Sequence, residues 1–263
     1  MVMRLDKFLA QSSVGKRKDV RIYIKEGKVK VNGEVITIPA IDINEKSDRI
    51  EYLNEVVSYT EKVYYMFNKP AGCITAKKDE VYKTVFDYFK DKDTKGLFHV
   101  GRLDKDTEGL LLFTNDGEFE HRLMYPEKHV EKTYFFIALG TLDEEDIKKL
   151  EDGVYIGQGE ILTKPAKMKI DKFGLYNDFK DQINIDNFNK VDSNRYNQLV
   201  VSGYLTISEG RKNQVKRMLK AVGCYVLRLK RVSIDRVMLD ESLKQGEYRS
   251  LTEFELRQLW GRE

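Results

Sequence analysis

The sequence predicts an α+β protein of two domains: a small front module and a larger, mixed and mostly antiparallel one. Three observations predict it. The first 50 residues place two short amphipathic patterns ahead of alternating extended runs closed by Asn32-Gly33. A polar, β-prone linker follows at residues 54–62. From Val63 onward, strand-like apolar runs alternate with loops and a few helices, without the regular strand-helix repeat of a doubly wound nucleotide fold. The expected division is residues 1–60, module and linker, and residues 61–263.

In the module, Leu5, Phe8 and Leu9 recur at helical spacing. Residues 16–26 set Val20 and Ile24 one turn apart among Lys16, Arg17, Lys18, Arg21 and Lys25, which predicts a second short helix with one apolar stripe. Gly27 ends it, Val29 and Val31 alternate, Asn32-Gly33 supplies a tight hairpin turn, and Val35 and Ile36 resume an extended run. The unit reads helix, helix, hairpin. In the larger domain VYYMFNKP is a strand up to Lys69-Pro70, GLLLFTNDGE a strand entering an Asn-Asp-Gly turn, and KTYFFIALG another strand. DEEDIKKLEDGV puts Ile147 and Leu150 on one helical face and spaces Glu145 and Lys149 as an i,i+4 pair. Val215, Met218, Leu219 and Val222 mark a further amphipathic helix. The polar stretch 171–197 reads as a neutral surface insertion in preference to an extended hairpin touching RNA, and the GQG at 157–159 as a turn without phosphate-loop context.

With 263 residues and 41% hydrophobic content, the chain can bury packed cores, so long disorder is excluded as its main state. The charged front and the lack of any run of roughly 20 apolar residues point to a cytoplasmic protein without secretion signal or membrane span. Cys73 and Cys224 stand apart, and His99, His121 and His129 lack metal-ligand spacing, so two buried thiols and no zinc site are expected. Charge is uneven although 46 Lys and Arg nearly balance 43 Asp and Glu. Residues 1–33 carry nine basic against three acidic side chains, and residues 208–231 eight against one. Two basic segments on an otherwise acidic protein suggest a polyanion held at defined places.

Candidate chemistry concentrates in HVGRLDKDTEGLLLFTNDGE at 99–118. Asp104 lies beside a cation in a loop just before an apolar strand, where an active-site floor meets solvent, with Asp106 and Glu108 as competitors.

RLDKFLAQ followed by KRKDVRIYIKEGKVKVNG resembles, over about residues 3–50, the small RNA-binding domain first named for ribosomal small-subunit protein S-four. The resemblance implies that helical cations meet phosphates while the hairpin fixes their orientation, with Arg4, Lys7, Lys16, Arg17, Arg21 and Lys28 on RNA. Behind it, YMFNKPAG, VGRLDKDTEGLLLFTNDGE, EKTY, LTKPA and ISEGRKNQVKRMLKAVG, in this order, resemble the RsuA family of ribosomal RNA pseudouridine synthases. MRLDKFLAQ, LTKPA and GEYRSLTEFEL together are closer to its small-subunit (16S) branch than to its large-subunit relatives.

By position, the family's catalytic aspartate falls on Asp104, its active-site tyrosine on Tyr134 and its basic partner on Lys216, with Arg217 the alternative. The implied reaction breaks the uridine N-glycosidic bond, turns the uracil and rejoins its carbon 5 to the same ribose. An ionised carboxylate can act there as nucleophile or base, and a nearby cation favours that charge. Tyr134 offers a stacking face for an extruded uracil. Arg102 contacts RNA or fills the space the base leaves, and Arg211 and Arg217 join the RNA contacts. Lys69-Pro70 is structural, with proline stiffening the loop. Asn213 stands where the family often has histidine, which removes histidine chemistry there. The expectation is a cofactor-independent and metal-independent monomer acting on 16S ribosomal RNA, within a small-subunit assembly intermediate. The rivals are a noncatalytic RNA-binding assembly factor and a large-subunit enzyme.

Overall fold

The computed structural model describes residues 2–12, 14–58, 61–90, 94, 96–157, 159, 161–183 and 197–261. The chain divides into two compact units, Met1–Lys62 and Val63–Glu263.

In the first unit β1 (Val2–Arg4) leads into α1 (Leu5–Gln11), followed by α2 (Arg17–Lys25), β2 (Val29–Val31), β3 (Glu34–Val35), β4 (Asp42–Asn44), β5 (Ile50–Tyr52) and β6 (Glu55–Val56). The apolar stripes of both helices, Leu5, Phe8, Leu9, Val20 and Ile24, pack with Val29, Ile43 and Ile50 into one core. The strands form a sheet ordered β3-β2-β5-β6, and β1 pairs with β4. Asn32 and Gly33 both take positive φ, 52° and 88°, the geometry a two-residue hairpin turn demands. One expectation needs correction. Residues 54–62 do not act wholly as a linker, because Glu55–Val56 is an edge strand paired with β5. Leu53 and Asn54 turn the chain with φ of 51° and 68°. Leucine is a poor turn residue, and its presence hid the hairpin.

The basic helices converge on one acid. Asp6 is fully buried, and its carboxylate accepts from Arg4 Nη2 at 3.0 Å, Arg17 Nη2 at 3.0 Å and Arg21 Nε at 2.8 Å. Burial by itself would raise the Asp6 pKa, but hydrogen bonds from Arg17, Arg21 and Arg4 outweigh it and hold the carboxyl at about 2.

The second unit runs β7 (Tyr64–Lys69), β8 (Phe98–Val100), β9 (Glu108–Thr114), α3 (Gly117–Met124), β10 (Lys132–Leu139), α4 (Glu144–Asp152), β11 (Lys167–Leu175), β12 (Leu199–Ile207), α5 (Gln214–Ala221), β13 (Tyr225–Ile234), β14 (Val237–Met238), β15 (Tyr248–Ser250) and α6 (Glu253–Leu259). Its sheet is ordered β11-β12-β10-β13-β9-β7-β15, with β8 added to β9 and β14 to β13. The ladders are antiparallel except β13 against β9. Gly109 permits that approach: its φ is +99°, and a Cβ there would lie 2.2 Å from the Arg231 carbonyl oxygen.

Strand alternation gives the sheet two apolar faces. Leu111, Phe113 and Phe136 pack with Leu150 of α4 and Val215, Met218 and Leu219 of α5. Met66, Leu110 and Leu112 pack on the other face with Phe119 and Leu123 of α3 and Leu259 of α6. The Asn-Asp-Gly segment expected as a turn instead starts α3, with the Asp116 side chain accepting from Glu118 N at 3.1 Å as its N-cap. The stretch 171–197 is also corrected at its ends. Residues 171–175 belong to β11, which pairs with β12, while Tyr176, Phe179 and Ile183 fold back into a small core with Ile137 and Val200. Residues 184–196 of that stretch, and Gln158 of the GQG, lie outside the described residues.

Candidate active site

Residues 101–107 form the loop from β8 into β9, and buried hydrogen bonds hold its backbone. Lys69, fully buried at the end of β7, donates from Nζ to the carbonyl oxygens of Thr107 at 2.9 Å, Pro70 at 3.1 Å and Lys105 at 3.2 Å. Gly72 N also donates to Lys105 O at 2.8 Å. Thr75 Oγ1 donates to Leu103 O at 2.7 Å and accepts from Leu103 N at 3.1 Å. Burial pushes the Lys69 pKa below its ordinary value. This gives the structural reading of Lys69-Pro70 a specific form: the lysine is a tether for the loop that carries Asp104.

The loop borders a cleft of about 550 Å³, whose walls include Arg102, Asp104, Lys132, Tyr134, Asn213 and Arg231. Asp104 is partly exposed there, its side chain 36% accessible. Across from it stands the start of α5. The Asn213 carboxamide, turned with its nitrogen toward the carboxylate as the donor-acceptor pattern requires, donates to Asp104 Oδ2 at 2.7 Å and Oδ1 at 3.0 Å. Lys216, one turn along α5, holds its ammonium 3.8 Å from Asp104 Oδ2 and makes its close hydrogen bond to Asp106 Oδ1. Two of the three acids weighed in the sequence therefore share one cation.

Tyr134 lies on β10, cross-strand from Arg231 of β13, and is 8% exposed. Lys132, two residues earlier in β10, also lines the cleft, and neither it nor Arg231 has a carboxylate partner among the described residues. Burial, reinforced by the positive charge of Arg231, pushes Lys132 down to about 8. Glu108, the third acid, is buried and paired with Arg228 Nη2 at 3.1 Å, which joins β9 to β13. It serves the fold, outside the cleft.

A carboxylate and an aromatic ring thus meet in one open cleft of a mixed sheet, next to two buried cations. Residues 63–221 match the family described as RNA pseudouridylate synthase, and residues 3–50 match the S4 domain. The chain belongs to the RNA pseudouridylate synthase family. YtzG of Bacillus subtilis (strain 168), named an uncharacterized RNA pseudouridine synthase, is 44% identical over 262 residues, covering 98% of both chains. Ribosomal small subunit pseudouridine synthase A of Haemophilus influenzae is 37% identical over 98% of this chain and 99% of that one. Ribosomal large subunit pseudouridine synthase B of Bacillus subtilis is 39% identical over 97% and 95%. A crystal structure of a pseudouridylate synthase superposes with a TM-score of 0.62 at 35% identity, covering 98% of this chain and 99% of that chain. The resemblance to the RsuA family, the two-domain architecture and the assignment as an isomerase all hold.

Within the synthase, the cations expected on RNA fall into distinct environments. Arg102 is exposed at the cleft. Arg211 donates to the carbonyl oxygens of Ile161 at 2.7 Å and Leu162 at 2.8 Å, and Arg217 Nε to Ile156 O at 2.7 Å, so both tie the segment after α4 to α5. In the S4 unit, Lys7 and Lys16 are exposed. Lys28 is exposed and paired with Glu26 at 2.6 Å, while Arg4, Arg17 and Arg21 are half-exposed around Asp6. The Asn213 contact was missed because only the fold brings residue 213 to the loop of residue 104. The available signal was an asparagine, tolerant of the left-handed region, just ahead of an amphipathic helix. Cys73 and Cys224 are buried free thiols. No helix among the described residues is long and apolar enough to cross a membrane.

Proposed function

We propose that this synthase converts one uridine of 16S ribosomal RNA to pseudouridine, with Asp104 acting on the ribose, Tyr134 stacking the turned-out uracil and Lys216 supporting the negative charge. The observation that carries the reading is the Asp104 carboxylate, partly open to a cleft of about 550 Å³ that Tyr134 also lines. A uracil needs such a space once it leaves the helical stack. The N1–C1′ bond breaks, the base turns, and C5 bonds to the same C1′ while C5 loses a proton and N1 gains one. Atoms and electrons balance without an oxidant. Asp104 in its ionised form acts as nucleophile or base, with the Lys216 ammonium 3.8 Å from its Oδ2.

Arg102 contacts RNA at the cleft mouth, and the half-exposed arginines of the S4 unit offer N–H donors to phosphates on folded RNA. The small-subunit target rests on MRLDKFLAQ, LTKPA and GEYRSLTEFEL. Relatives named for either ribosomal subunit align over the full length, so the assay must read both RNAs. The enzyme acts as a cytoplasmic monomer on an assembly intermediate.

The test incubates the protein with each ribosomal RNA and with partly assembled small subunits, then maps pseudouridine by chemical modification and primer extension. One new site in 16S RNA, absent with Asp104→Asn, is expected. A site in large-subunit RNA would move the target, and equal product from Asp104→Asn would remove the aspartate from the chemistry.

A further inference from the structure

We infer that Asn213 is a positioning residue for Asp104, a neutral two-point donor that aims the carboxylate and favours its ionised form more directly than Lys216 does. The inference rests on the reading of Asp104 as the reacting group. Two observations and one chemical argument support it. The Asn213 amide reaches both carboxylate oxygens, at 2.7 and 3.0 Å, whereas the Lys216 ammonium is 3.8 Å from the nearer one and bonds closely to Asp106. Hydrogen bonds to a charged carboxylate stabilise that charge and fix its direction, while a cation shared between two acids is partly spent on the second.

The backbone at Asn213 is also committed to this placement. Its φ and ψ are 53° and 30°, in the left-handed region, where most side chains are strained and asparagine is tolerated. As N-cap of α5, Asn213 makes no side-chain cap hydrogen bond. The usual reason for asparagine at a helix start is absent, and the carboxamide points at the acid instead.

Chemistry adds a third point. A histidine at this position would carry a charge that changes near neutral pH. An amide keeps its donors at every pH, so here the orientation of Asp104 does not depend on a second titration.

The test uses the full chain. Asn213→Gly keeps the left-handed backbone without steric cost and removes both donors. Asn213→Asp keeps the shape and replaces the donors by a like charge. The ionisation midpoint of Asp104 is read by NMR of carboxyl-labelled aspartate, its signal identified by its loss in Asp104→Asn. Asn213→Gly should raise the midpoint, and Asn213→Asp should raise it further. The acidic limb of kcat/KM should shift by the same amount, with thermal unfolding unchanged. An Asp104 midpoint in Asn213→Gly equal to that of the wild type would overturn the inference. The midpoint needs no turnover, so a wild type that makes no pseudouridine would defeat the functional reading and leave this measurement standing on its own.

Discussion

Replacing Asp6 tests how the first unit holds its arginines. The buried carboxylate sits among three guanidinium groups at 2.8 to 3.0 Å, and its pKa falls from 3.8 to about 2. That shift corresponds to roughly 2.5 kcal/mol in favour of the ionised form. For an acid whose folded pKa is depressed, this stability is fully present above pH 3.8 and is lost as pH falls through about 2. Asp6→Asn, which keeps the shape, should cost about 2–3 kcal/mol at pH 7. Asp6→Ala also leaves the guanidinium groups facing one another and should cost about 3–5 kcal/mol. A unit of this size holds only a few kcal/mol. Hydrogen exchange of the buried α2 amides in the full chain reads the effect: Asp6→Asn should speed exchange at Val20 and Ile24 roughly 50-fold and leave the amides of β9 unchanged. Urea unfolding of the wild type should lose its Asp6 contribution between pH 4 and 2. Unchanged α2 exchange in both variants would show that the arginines do not depend on Asp6, and the reasoning would fail.

Lys69→Met removes three hydrogen bonds, two of them to the loop bearing Asp104, and should lower stability by about 2–4 kcal/mol and kcat at least tenfold with little change in KM. Melting and single-turnover rates check this, and a fully active variant would show that the tether is dispensable. Lys132 has its pKa lowered to about 8, so its neutral form suits the folded state. The wild type should gain up to about 3 kcal/mol as pH rises from 8 to 10.5, a gain that is lost again as pH falls through about 8 and is missing in Lys132→Met when both are unfolded in urea. Tyr134→Ala should lower kcat/KM about 10- to 100-fold through loss of about 1–3 kcal/mol of base stacking, whereas Tyr134→Phe keeps that contribution. Equal kcat/KM for Ala and Phe would show that the ring does not stack the base.

Elements with strong local signals were legible in advance. The stripes Leu5-Phe8-Leu9 and Val20-Ile24 form the two helices, Asn32-Gly33 forms its turn, and the runs around Tyr64, Leu110 and Phe135 form strands. Weak or ambiguous signals misled. Leu53-Asn54 turns a hairpin with a leucine at its first position, and Asp116-Gly117 starts a helix where the same letters suit a turn. In the site, the order of motifs pointed to Asp104, Tyr134 and Lys216, and the fold places Asp104 and Tyr134 on one cleft with the Lys216 ammonium 3.8 Å from Asp104. Their partners were not found that way. The hydrogen bonds from Lys69 to residues 105 and 107, the Asn213 amide on Asp104 and the preference of Lys216 for Asp106 each join segments far apart in sequence.

The amino-acid order by itself determined which segments are helical or extended, where the basic charge gathers and which side chains can do the chemistry, because periodicity, turn residues and side-chain type are local properties. Tertiary structure alone decided which of three neighbouring acids faces the cleft, which donors reach it, and that the arginines of the first unit surround a buried carboxylate. Hydrogen bonds form or fail over fractions of an ångström, and such distances between remote residues are set only when β9, β10, β13 and α5 pack together.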